Sequence, residues 1–239
     1  MIKLGLIFLP FFMTALAFGQ DQFESDTFKT SSGDLKITFI GHGSVFFEFA
    51  GKVVHVDPWG KLADYSRLPK ADVILVTHEH QDHFDKNAIE SIRKPGTIVV
   101  LTAACAGGTV MKNGDARTLG GLKVEAVPAY NLVHKRPDGQ VFHPKGSGNG
   151  YVLTFGDKRV YVAGDTENIP EMRTLKNIDI AFLPMNLPYT MTPQMAASAA
   201  GMINPRILYP YHYGETETGK LVELMRNFKS TEVRIRKMK

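Results

Sequence analysis

Thr77-His78-Glu79-His80-Gln81-Asp82-His83 follows the apolar run Val73-Ile74-Leu75-Val76, and its reading decides the fold. Imidazole nitrogen and carboxylate oxygen are the ligands a zinc-like ion prefers. In an extended segment, side chains two apart lie on one side, so His78 and His80 can reach the same ion. The chain then turns into the next helix, which redirects Asp82 and His83 toward a neighbouring position. The preceding run is continuously apolar, as in strands buried on both faces. Four ligand-type residues just past such a strand rarely serve packing alone, so incidental surface histidines are the weaker reading.

Upstream of this stretch, residues 35–40, 44–49 and 52–56 read as short strands. Gly41-His42-Gly43 and Ala50-Gly51 between them have the tight-turn composition of an antiparallel meander. Downstream, Asp85 can cap a helix over 86–93, with Ala88, Ile89 and Ile92 on one face and Pro95-Gly96 as the stop. A buried strand follows at 97–101. Leu122, Val124 and Ala126 alternate with polar neighbours in a run that Pro128 is expected to end. Residues 131–150 form a long loop rich in Gly, Pro and charge, and a loop of that length is usually functional or mobile. A hairpin is expected from 151–155 and 159–162, and strands at 178–183 and 207–209. Thr192-Pro193 opens a helix to about Met202. The segment 218–228 is amphipathic, with Leu221, Leu224, Met225 and Phe228 on one face. Strands come first and helices then interleave with strands in both halves, an α/β order satisfied by two sheets with helices outside.

A length of 239 residues with 44% hydrophobic and 22% charged content suits one large soluble domain. The net charge of +4 is too small and too scattered to indicate nucleic acid, which leaves a small-molecule substrate as the expected partner. The basic tail at 234–239 reads as a solvated terminus. Cys105, the sole cysteine, excludes an internal disulfide and reads as a small buried apolar residue. Lys3, the apolar stretch 4–18 and the small residues Ala15, Ala17 and Gly19 have the grammar of a secretory signal peptide. The apolar stretch is short for a bilayer span. The expected organisation is therefore a signal peptide at 1–20, a polar linker at 21–34 and a single domain at 35–239. The mature chain is expected to be periplasmic or secreted, with no stable membrane span.

Two later residues complete the chemistry. Asp165, in Gly164-Asp165-Thr166, ends a strand after a glycine, where its carboxylate could bridge two ions; alone, such a turn is commonplace. His212 also follows a strand and, alone, reads as a core histidine. Taken with Gly41-His42-Gly43-Ser44, His55-Val56-Asp57-Pro58 and the histidine cluster, these segments make the chain resemble the metallo-β-lactamase-fold hydrolases. The closest likeness is to the branch of ascorbate-phosphate lactonase-like and uncharacterised small hydrolases. The resemblance runs from about Leu35 to the C-terminus. It implies a four-layer αββα sandwich of two mixed sheets with outer helices, and two divalent metal ions, zinc first, with manganese or iron as alternatives. In that family His78 and His80 would bind the first ion with one further histidine. Asp82, His83 and His212 would bind the second, and Asp165 would bridge.

One departure stands out. The third histidine of the first site usually comes from just after a mid-chain strand, and Val127-Pro128-Ala129-Tyr130-Asn131 has none. His134 and His143 follow. His143 is preferred because Pro144 limits its backbone and a glycine-rich run leads into the next strand; His134 is then a neighbouring or exposed residue. His42 and Asp57 are expected to orient ligands or meet substrate, with His55 beside Asp57 as a further brace. The implied activity is opening of an ester, lactone or phosphodiester bond by a metal-activated water, with Asp82 binding metal and orienting that water. There is no G-x-S-x-G elbow to supply a serine nucleophile. A di-iron redox protein on the same fold and a non-catalytic metal-binding protein are the rival readings. His80, where the flavin-linked branch usually carries glutamate, favours hydrolysis.

Overall fold

Val73, Leu75 and their neighbours Ile74 and Val76 are all buried, but they belong to two different cores. That division runs through the whole molecule. The computed structural model describes residues 23–239, so the signal peptide expected at 1–20 lies outside the described residues. The first sheet holds β1 (Glu24–Thr30), β2 (Gly33–Gly41), β3 (Ser44–Phe49), β4 (Lys52–Val56), β5 (Val73–Leu75), β6 (Ile98–Leu101) and β7 (Thr109–Val110), side by side in chain order. The second holds β8 (Ala116–Leu119), β9 (Leu122–Ala129), β10 (Gly148–Phe155), β11 (Lys158–Val162), β12 (Ile180–Pro184), β13 (Ile207–Tyr211) and β14 (Glu232–Val233), again in order. In each sheet the first four strands pair antiparallel and the later ones parallel.

Alternation along each strand builds the layers. Leu35, Ile37, Phe39, Val45 and Phe47 of the first sheet meet Tyr151, Leu153, Val160, Phe182 and Tyr209 of the second in one shared core. Phe182 sits there among the rings of Phe39, Phe47, Tyr209 and Tyr211, with centroids 5.1–6.3 Å away. Each such side chain withdrawn from water contributes about 1.5–3 kcal/mol. The alternate residues point outward to helices. Phe46, Ile74 and Val76 pack with Ala88, Ile89 and Ile92 of α1 (Lys86–Ile92). Val152, Tyr161, Ala181 and Leu208 pack with α2 (Pro193–Ile203) and with Leu221 and Met225 of α3 (Thr218–Met225). Helix, sheet, sheet, helix is the expected four-layer sandwich. The caps also form as read. Asp85 accepts from Asn87 N and Ala88 N, and Thr192 accepts from Met195 N with Pro193 at the first helical position.

Four expectations are corrected. The linker expected at 21–34 contains β1, whose seven residues pair fully with β2. It is an edge strand with only partial burial, so it lacks the apolar alternation that marks a half-buried strand. The basic tail is not a free terminus. Arg236 donates two 2.7 Å hydrogen bonds to Asp26 of β1, and Met238 is fully buried in the central core. Pro128 does not end its run, because β9 continues to Ala129 with Pro128 opposite Asn149. Of the apolar face expected over 218–228, Leu221 and Met225 are buried, but Leu224 and Phe228, the latter past the end of α3, are exposed.

Candidate metal centre

Apart from His143, which lies on the long connection between β9 and β10, each site segment follows the C-terminal end of a strand or lies in a turn. His42 lies in the β2–β3 turn, Asp57 follows β4, the histidine cluster follows β5, Asp165 follows β11 and His212 follows β13. His42, Asp57 and His212 have left-handed backbones, with φ of 50°, 46° and 45°. Such strain at non-glycine residues gathers at functional sites. Two glycines are needed for close approach. A Cβ on Gly43 would lie 2.9 Å from the His83 ring, and one on Gly164 would lie 2.9 Å from Asn149 O, where φ is also +66°.

The ligand-type atoms converge as two groups, joined by a third made of His78, His83 and Asp165. His78, His80 and His143 form the first; His42, Asp82, His83 and His212 form the second. His78 Nε2 and His80 Nδ1 are 3.0 Å apart, close to the roughly 3.4 Å that two nitrogens on one tetrahedral zinc would show. Asp165 stands between the groups with its two oxygens divided. Oδ2 faces His143 Nε2 at 3.4 Å and His78 Nε2 at 3.9 Å, while Oδ1 faces His212 Nδ1 at 3.3 Å and His83 Nε2 at 3.6 Å. This is the disposition of a bridging carboxylate.

His143, not His134, joins His78 and His80; the His134 ring instead lies 2.8 Å from Glu167. His42 comes closer than a distant brace, with its Nε2 3.1 Å from Asp82 Oδ2 and its ring stacked edge-on against His212. Asp57 holds the cluster from beneath. Its oxygens accept from Thr77 N and Thr77 Oγ1, both at 2.7 Å, and it lies 2.8 Å from His83 Nδ1. His55 takes no part. It stacks on Phe46 and its Nε2 lies 3.0 Å from Pro69 O, on the opposite face of its strand.

The donor set fits divalent cations. His83 Nε2, His143 Nε2, both nitrogens of His212 and Asp165 Oδ1 are buried without hydrogen-bond partners. A buried polar atom without a partner is rare enough to need an explanation, and five that converge have a common one. Burial pulls the His78 pKa well below its usual value and takes His143 down to about 4, favouring the neutral imidazole a metal requires. Burial opposes the charged forms of Asp82 and Asp165. It is outweighed by His212 and His42 around Asp82, and by His212 and His83 around Asp165, so both carboxyls stay well below the usual range. Above them opens a cavity of about 340 Å³ lined by His80, Asp82, Arg136, Phe142, Asn186 and Tyr189 among others.

Arg136, Asn186, Asn131 and Glu167 escape sequence reading. Polar residues in loops carry no period, and a glutamate two positions past Asp165 looks like any surface charge until its complete burial is seen.

The comparisons agree with this geometry. The family model described as a β-lactamase superfamily domain matches residues 36–212. A Thermococcus onnurineus protein named UPF0173 metal-dependent hydrolase is 33% identical over 197 residues, covering 75% of this chain and 84% of that protein. The crystal structure of a Parabacteroides distasonis protein is 49% identical, with a TM-score of 0.86 over 91% of this chain and 100% of that one. Igni18, a metallo hydrolase from Ignicoccus hospitalis, shares the fold at 24% identity and a TM-score of 0.70, over 85% and 95% of the two chains. The chain belongs to the metallo-β-lactamase fold superfamily and, within it, to the UPF0173 metal-dependent hydrolases.

Proposed function

We propose that this chain holds two divalent ions, zinc first, and opens an ester, lactone or phosphodiester bond of a small molecule by attack of water. The observation that supports it most is Asp165, whose two oxygens each face a separate histidine group. Two bound cations would supply Lewis acidity and a water acidic enough to attack near neutral pH. The remaining work falls to side chains. Asp82 is about one-third exposed toward the cavity, and its Oδ2 makes all the close imidazole contacts. Its other oxygen is therefore available to accept a hydrogen bond from the attacking water and orient it. His42, against Asp82 Oδ2, keeps that carboxylate turned. Arg136 and Tyr189 at the cavity mouth offer donors to an oxygen of the substrate. No helix among the described residues is long and apolar enough to cross a membrane. The leader-like first twenty residues support export to the periplasm or beyond, which amino-terminal sequencing of the natural protein would test.

Metal analysis of the purified protein, followed by a screen of esters, lactones and phosphodiesters with and without chelator, tests the reading. It expects about two equivalents of metal and turnover that chelator abolishes. A brown iron protein with redox activity, or no metal-dependent turnover of any of these substrates, would replace it.

A further inference from the structure

His143 differs from the other ligand-type histidines in its support. His78, His80 and His83 follow closely on a buried strand, whereas His143 is carried far along the 130–147 connection between β9 and β10. A ring on such a loop needs an anchor, and the anchor is visible. His143 Nδ1 is 2.6 Å from Asn131 Oδ1, and Asn131 N donates to His143 O at 2.8 Å. Asn131 Nδ2 donates in turn to Glu167 Oε1 at 3.0 Å and to Tyr189 O at 2.9 Å.

The orientation of the Asn131 amide is fixed by its surroundings. Tyr189 O can only accept, and the Glu167 carboxylate, while ionised, can only accept. The NH2 group must face both, so Oδ1 must face His143. An amide oxygen also only accepts, so His143 Nδ1 must carry the proton and Nε2 must hold the lone pair. Nε2 is the buried, unpartnered atom directed at Asp165 and at His78 and His80. The chain of constraint ends at Glu167. This fully buried carboxylate accepts the backbone N–H groups of Leu132, Val133 and His134, each at 2.7 Å. Those donors offset its desolvation and hold its carboxyl below the usual range.

We propose that Glu167, acting through Asn131, is the positioning residue that fixes the tautomer and place of His143 and thereby sets the affinity of the first metal position. The inference rests on the metal reading of His143. It also ties the cavity wall to the same anchor, since Arg136 and Phe142 lie on the loop that Glu167 and Asn131 hold.

Three full-length variants test it. Asn131→Ala removes the acceptor for His143 while leaving Glu167 and its backbone donors in place. Glu167→Gln puts an amide where the backbone N–H groups and Asn131 Nδ2 need an acceptor, which loosens the seat of Asn131 and with it the acceptor held against His143 Nδ1. His134→Ala removes a ring that touches Glu167 but not His143. In chelator-buffered zinc titrations, Asn131→Ala and Glu167→Gln should weaken one of the two positions about 10–100-fold, the effect typical of losing a ligand's orienting partner. The other position, and both positions in His134→Ala, should stay within about threefold of wild type. Nitrogen NMR of the metal-free protein, with His143 assigned by its loss in His143→Ala, should show an unprotonated Nε2 in wild type and protonated Nε2 gaining population in the two relay variants. If Glu167→Gln does not fold, Asn131→Ala decides. Unchanged zinc affinity in Asn131→Ala, an equal loss in His134→Ala, or a proton on Nε2 in wild type would overturn the proposal. A wild type that binds no metal at this position would instead remove the metal reading itself, and the tautomer measurement would still separate the two.

Discussion

Replacing Asp57 by Asn changes one atom and should disable the second metal position. The carboxylate is completely buried and serves three polar atoms: Thr77 N, Thr77 Oγ1 and His83 Nδ1. The backbone N–H of Thr77 can only donate, so the amide oxygen of an asparagine must face it. The NH2 group then faces His83 Nδ1 and forces that nitrogen to accept. The imidazole proton must move to Nε2, the atom that faces Asp165 at 3.6 Å and Asp82 at 3.8 Å. A protonated Nε2 cannot bind metal. Loss of one charge-assisted hydrogen bond is worth about 1.5–3 kcal/mol, and a tenfold change in affinity is about 1.4 kcal/mol. The expected fall in zinc affinity is therefore about 10–100-fold at the group of Asp82, His83 and His212, with a smaller change at the group of His78, His80 and His143. Competition with a chromogenic chelator, read as two resolved affinities, measures it, and circular dichroism confirms that the fold survives. Two affinities both within twofold of wild type would refute the idea that Asp57 sets the His83 tautomer.

Other expectations follow from the same geometry. His143→Ala should leave the protein with about one equivalent of tightly held metal, countable by elemental analysis; two equivalents would show that another residue completes the first group. Arg136→Ala should raise KM for an anionic phosphodiester about tenfold while altering a neutral ester little, as expected for loss of one charged hydrogen bond at the cavity mouth. The His55 ring gives a pH signature away from the metals. Its Nε2 faces Pro69 O and its Nδ1 has no partner, so burial pushes the pKa from 6.5 down to about 4. The neutral form is the folded one. Its contribution is complete above pH 6.5 and is lost as pH falls toward 4, by at most about 3 kcal/mol. Urea unfolding at pH 7 and pH 5 should show this slope in wild type and a shallower one in His55→Phe; equal slopes would contradict it.

How much of this was legible beforehand depended on what held each residue in place. The strand before the histidine cluster, the capped helix after it and the Gly164-Asp165 turn were readable because burial on both faces, caps and turns each leave a local mark. His143 could be preferred over His134 only through the proline and glycines around it, and the contact with His78 and His80 was decided by tertiary structure. The linker that became β1 was illegible because its own side chains are polar and mostly exposed and its pin is Arg236, 210 residues from Asp26. No local pattern encodes such a pairing. His55 misled for the opposite reason: it is adjacent in sequence to the metal loop, but strand alternation turns it to the other face of the sheet.

The two carboxylates that sequence reading treats so differently do the same physical job. Asp57, at a recognisable His-x-Asp-Pro segment, accepts a backbone N–H from Thr77 and fixes His83 directly. Glu167, with no recognisable signature, accepts three backbone N–H groups and fixes His143 through one intervening amide. In both cases a buried carboxylate is held in place by backbone donors, and the acceptor it presents dictates which imidazole nitrogen is free. The first half of the chain carries one such anchor and the second half the other, and each serves one metal position. A ligand on a strand end needs a single anchoring contact, because the sheet already limits its backbone. A ligand on a loop needs the backbone held as well, which is why Glu167 gathers the loop's own N–H groups before it reaches the histidine. That difference makes the first position the more sensitive of the two to any change that loosens the loop.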